Sequence, residues 1–71
     1  MEIMVRHARD LFMAFQTAQG MERAGADVFS VTYCDRNLEF PYSIWAKIKS
    51  NKMIDKVDLA IEKEINKELE V

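Results

Sequence analysis

VFSVTYCDRNLEFPYSIWAKI, running from Val28 to Ile48, is the stretch whose reading decides the fold. Phe29, Val31 and Tyr33 alternate with Ser30, Thr32 and Cys34, the period-two pattern of a half-buried strand. Asp35-Arg36-Asn37 then supplies turn chemistry, because Asp bonds its own backbone and Asn tolerates a left-handed conformation. Beyond the turn, Leu38, Phe40, Tyr42, Ile44, Ala46 and Ile48 share one parity, and Glu39, Pro41, Ser43, Trp45, Lys47 and Lys49 share the other. An even-numbered loop sets Tyr33 against Phe40, Val31 against Tyr42 and Phe29 against Ile44, which gathers the large apolar side chains on one face. An odd loop destroys that face unless a bulge restores the parity. A hairpin with a two- or four-residue loop is therefore predicted. Pro41 lacks an N–H and demotes the second strand to an edge. A short helix starting near Pro41 is the competing assignment for residues 42–48.

Upstream, Met4, Ala8, Leu11, Phe15 and Ala18 recur at 4-3-4-3 spacing. That spacing predicts an amphipathic helix over residues 2–19, fraying towards Arg23. Phe12 widens the stripe, and Met13 falls among the polar positions. Downstream of the polar break Ser50-Asn51-Lys52, the residues Ile54, Val57, Ile61, Ile65 and Leu69 step by three and then by four. They predict a second helix from about Met53 to Leu69, with Asp55 and Asp58 near its start, where acids favour the helix dipole. The expected fold is α+β: one αββα domain over residues 1–71, with two amphipathic helices packed on one face of an antiparallel β-hairpin. A lone hairpin is marginal in water and its free edge is a template for another strand, so extension of the sheet by dimerisation is expected.

The composition, 49% hydrophobic and 31% charged, is that of a globular chain rather than a disordered one. A chain of 71 residues buries only a limited core, and small domains make up the shortfall with disulfides, metals or oligomerisation. Cys34 stands alone, which excludes an internal disulfide and fits a reducing, cytoplasmic setting. One His, one Cys and scattered carboxylates give no ligand spacing for a metal, and no cofactor motif is present. Oligomerisation is the remaining route. The segment Met1–Asp10 lacks the apolar core of a signal peptide, and no apolar run is long enough to span a bilayer, so no membrane partner is expected. The net charge of -2 gives no general attraction to nucleic acid.

His7 and Cys34 are the candidates for nucleophilic chemistry, but nothing in their spacing brings thiol and imidazole together. Asp35 is accounted for as a turn residue, and Asp55 and Asp58 as helix-start residues, so no acid–base pair is assigned and a non-enzymatic role is expected. Two surfaces remain. Trp45, Lys47 and Lys49 project from the sheet face opposite the apolar one, and with Lys52 and Lys56 they give segment 45–56 a local charge of +3, four lysines against Asp55. Lysines beside an aromatic ring suit a β-ribbon that binds nucleic acid, although no arginine is present to read base edges. The alternative is a solvated strand end whose lysines discourage aggregation. The last segment, Val57–Val71, carries five acids against two lysines, and its apolar stripe suits either a groove on a partner or the chain's own sheet. The expected function is that of a small binding or regulatory protein acting through protein–protein interaction, as a homodimer. Met13, Trp45, Ile61, Ile65 and Leu69 are its candidate contacts, and nucleic-acid binding through Trp45, Lys47, Lys49 and Lys52 is the alternative.

Overall fold

The computed structural model describes residues 1–69, with side chains through Lys67. It is a small α+β domain with a three-stranded antiparallel sheet and two helices: β1 (Glu2–Ala8), α1 (Leu11–Arg23), β2 (Asp27–Tyr33), β3 (Tyr42–Ile48), a 3₁₀ turn (Asn51–Met53) and α2 (Ile54–Leu69). The strand order is β1-β3-β2. Both outer strands run antiparallel to β3, so β1 and β2 are parallel, joined through α1, with β3 inserted between them in a split β-α-β arrangement.

The predicted helix over residues 2–19 is corrected here: Glu2–Ala8 is a strand, and the order is βαββα rather than αββα. Met4 and Ala8 are buried as expected. Positions four apart, however, share a face in a strand as well as in a helix. The helix starts where Asp10 caps it, its carboxylate accepting the Met13 N–H at 2.8 Å. The far end closes in a Schellman arrangement. Gly25 donates to Glu22 O and Ala26 to Met21 O, both at 3.0 Å, and Gly25 adopts φ +98°, a conformation open to glycine at little cost.

Residues 42–48 form a strand, and it is the central one rather than an edge. Pro41 precedes it, and its carbonyl, which a proline retains, accepts the Cys34 N–H at 2.8 Å. The connection is longer than the predicted turn, residues 34–41 in place of two or four, so Leu38 and Phe40 lie in the loop. The parity argument survives with a shift of two: Tyr33 pairs with Tyr42 and Val31 with Ile44. The register then slips between Val28 and Ser30, a β-bulge at Phe29 that turns its side chain to the other face.

The core lies between the sheet and the helices. Met4, Ala8, Ile44, Ala46 and Ile48 from the sheet meet Ala14 and Met21 of α1 and Val57 and Ile61 of α2, with Ala24 and Ala26 beside them. The two helices approach closely at Gly20, where an added Cβ would stand 2.5 Å from the Ile61 Cα. Arg6 on β1 clasps Asp58 on α2 through hydrogen bonds of 2.7 and 2.9 Å. The buried Glu64 carboxylate takes Arg23 at 2.8 Å and Lys67 at 3.4 Å. The Cα extents of 32 × 30 × 15 Å are those of a two-layer slab.

Candidate functional site

The sheet face away from the helices is open, and the structure gathers there part of the basic–aromatic cluster. Trp45 and Lys47 lie at β3 positions opposite in parity to the buried Ile44, Ala46 and Ile48. Trp45 is half-buried, and its indole N–H donates to Thr32 Oγ1 at 2.9 Å. The Lys47 ammonium stands over the Phe29 ring, 5.5 Å from its centroid, an attraction between cation and ring face. The bulge at Phe29 creates that contact, and the sequence pattern had assigned Phe29 to the apolar face. On the other flank Ile3, Val5 and His7 stand opposite Lys47, Trp45 and Ser43, with His7 Nδ1 3.0 Å from Ser43 Oγ. Lys49 lies past the strand end and Lys52 in the 3₁₀ turn, both exposed. Neither shares the strand-face geometry of Trp45 and Lys47.

The residues proposed from sequence as protein contacts have a different fate. Met13 is half-buried and packs against the core rather than projecting among polar neighbours. Its position is one turn from the buried Thr17, whose hydroxyl donates to the Met13 carbonyl at 2.8 Å. Ile61 is a core residue, and Ile65 is half-buried against the same cluster. The Leu69 side chain lies outside the described residues.

What the sequence reading missed is an apolar surface on the outer side of α1 and along β2. Leu11, Phe12 and Phe15 are 65%, 60% and 65% exposed, although the helical stripe had assigned Leu11 and Phe15 to the core. Val31 and Tyr33 are 48% and 62% exposed. They occupy the core side of the sheet, because each shares its face with its cross-strand partner, and Ile44, the partner of Val31, is fully buried. Tyr33 stacks on Tyr42 with ring centroids 5.0 Å apart. Asp10 was the available signal for the boundary: a capping residue there starts the helix at Leu11 and separates Met4 and Ala8 from its stripe.

The Asp58 carboxyl is held below its ordinary range by the hydrogen bond from Arg6, opposed by partial desolvation; Arg6 is raised in return. This pair lies on the core side and reads as a structural clasp. Among the described residues, His7 and Cys34 share no hydrogen bond, and no three His, Cys, Asp or Glu side chains are grouped to hold a metal ion. No helix among them is long and apolar enough to cross a membrane. Compared with protein-family models, curated proteins and solved structures, the chain matches none.

Proposed function

We propose that this chain is a non-enzymatic binding protein that acts through protein–protein contact and has a second copy of itself as a partner. The observation that carries the reading is the exposure of Leu11, Phe12 and Phe15 on one side of a single helix. Scattered apolar residues are normal on a surface, whereas a contiguous group of large ones marks a contact surface. The core is correspondingly thin, with five alanines (Ala8, Ala14, Ala24, Ala26 and Ala46) among the eleven hydrophobic residues buried among those described. Burial of the outer aromatics against another protein would add the apolar area that the interior lacks. The test is light scattering and sedimentation of the chain beside a Leu11→Ser/Phe15→Ser variant. The reading expects association of the first and a folded monomer from the second. Equal masses for the two, with the wild type monomeric throughout, would refute it.

A second reading is favoured by the Lys47–Phe29 contact beside Trp45. An open antiparallel face bearing two aromatic rings and a lysine suits stacking of unpaired bases, with the lysines at the strand end drawn to phosphate. It predicts salt-dependent binding of a single-stranded oligonucleotide, weakened by Lys47→Glu. Anisotropy unchanged by added chain at low salt would dismiss it.

A further inference from the structure

We infer that the second copy joins at the free edge of β2, pairing antiparallel about Thr32 to build one six-stranded sheet. The inference rests on the self-association proposed above and names its surface and register.

The sheet has two free edges, and they differ. β1 carries Glu2 and, clasped by Asp58, Arg6, charged side chains of the kind that blunt an edge against pairing. β2 is charged only at its first residue, Asp27, and the run from Val28 through Tyr33 to the following Cys34 carries no formal charge. The bulge at Phe29 interrupts the strand, so the regular edge is Ser30 to Cys34. Backbone directions within it follow from one bond. Cys34 N–H donates to Pro41 O, so Cys34, Thr32 and Ser30 turn their backbone groups to β3, and Val31 and Tyr33 turn theirs to the free edge.

A five-residue segment overlaps fully with its own antiparallel image only when the two-fold passes through its middle residue. Centred on Thr32, the pairing sets Val31 against Tyr33 of the second copy, Thr32 against its mate and Ser30 against Cys34. The outward backbone groups of Val31 and Tyr33 then meet each other and form reciprocal hydrogen bonds. Their side chains form an aromatic–β-branched pair on the core side of the sheet, twice over, and threonine opposite threonine is itself a favoured pairing. Thr32 Oγ1 already accepts from Trp45, which leaves its hydroxyl proton for the mate.

The helix flank supports the same edge. Gly20 faces α2, and at about 100° per residue Leu11 lies about 180° and Phe15 about 140° around α1 from it. Arg6 ties α2 to the β1 side, so the flank bearing Leu11 and Phe15 stands on the β2 side. An isologous contact covers these residues, Val31 and Tyr33 on both copies at once.

The register has a direct test. Ser30 and the second copy's Cys34 form a non-hydrogen-bonded pair, with Cα atoms about 4.5 Å apart, inside the roughly 4.4–6.8 Å a disulfide spans. Within one chain the two positions are four residues apart along a strand, out of reach of each other. The expected result is a dimer of the reduced full-length chain by light scattering. Ser30→Cys then gives a disulfide-linked dimer on mild oxidation, and Ser30→Cys/Cys34→Ser does not. Val31→Lys, at a half-exposed position, keeps the circular dichroism spectrum and weakens dimerisation about 100-fold, about tenfold for each of the two copies of Val31. A dimer in which Ser30→Cys fails to crosslink, or crosslinks equally without Cys34, overturns the β2 register and leaves self-association standing. A monomer at every concentration overturns both.

Discussion

The space between α1, α2 and the sheet and the flank formed by α1 with β2 reverse the usual distribution of apolar size. The interior is filled by alanines, with Met4, Met21, Ile44, Ile48, Val57 and Ile61 as its larger members. None of the four phenylalanines is buried: Phe12, Phe15 and Phe29 are exposed and Phe40 is half-buried in the loop. The contact at Gly20 explains the interior, since helices that approach until an added Cβ would meet backbone leave little room for large side chains. The outer flank has no such constraint, and it holds the bulk that a small domain ordinarily uses to hold itself together. Under the proposed self-association, stability and association fall to different residues, which makes the two regions separable by mutation.

The sharpest way to break that comparison is a pair of cross-strand neighbours. Ile44→Ala should cost about 3 kcal/mol in urea unfolding, because a buried methylene-rich side chain leaves a cavity. Val31→Ala, directly across the same ladder, should cost under about 1 kcal/mol when measured dilute enough to avoid association. Equal costs would mean that the flank is part of the monomer's core. Gly20→Ala comes next, at about 2 kcal/mol, because the obstructing atoms belong to the Ile61 and Ala60 backbone and cannot rotate away. A neutral result would remove the explanation for the alanine-rich interior.

Two smaller effects sharpen the contrast. The Arg6–Asp58 clasp should contribute up to about 1 kcal/mol, discounted because both side chains are partly exposed. With the Asp58 value depressed by its hydrogen bond, that contribution is present above the ordinary carboxylate value and is lost as pH falls through the lowered one. Asp58→Asn should remove this part of the acid dependence, which unfolding titrations against pH would read. The smallest effect is expected from Phe15→Ser: within about 0.5 kcal/mol for the dilute monomer, with the change appearing in the mass at high concentration.

How far the fold was legible depends on where two periodicities part company. The hairpin was readable in part: the alternation from Tyr42 to Ile48 favoured a strand over the short helix that Ile44, Trp45 and Ile48 also fit, while the pairing falls two residues from the one predicted. So was α2, whose stripe holds from Ile54 through Ile61. β1 was not, since Met4 and Ala8 satisfy both periods and the step to Leu11 crosses an unrecognised cap at Asp10. Of the candidate site, the shared open face of Trp45 and Lys47 followed from parity. The Phe29 contact depended on a bulge that leaves no mark in composition. The flank was hidden for another reason: hydrophobic size invites an inward assignment, and here close helix packing sends the large residues out.

The central position of β3 also fixes an order of events. Its partner β2 lies just across the loop of residues 34–41, but Ala8 pairs with Tyr42 and Glu2 with Ile48, contacts that enclose from about half to about two-thirds of the chain. Closing so long a loop has an entropic cost that nearby pairings do not carry, and non-local strands accordingly join late. During synthesis β1 must therefore wait for the fifth ten of residues, which holds β3, before its ladder can close. Until then, its alternating Ile3 and Val5 are solvent-facing in a nascent chain. An unpaired strand with exposed apolar side chains is open to wrong partners in that interval.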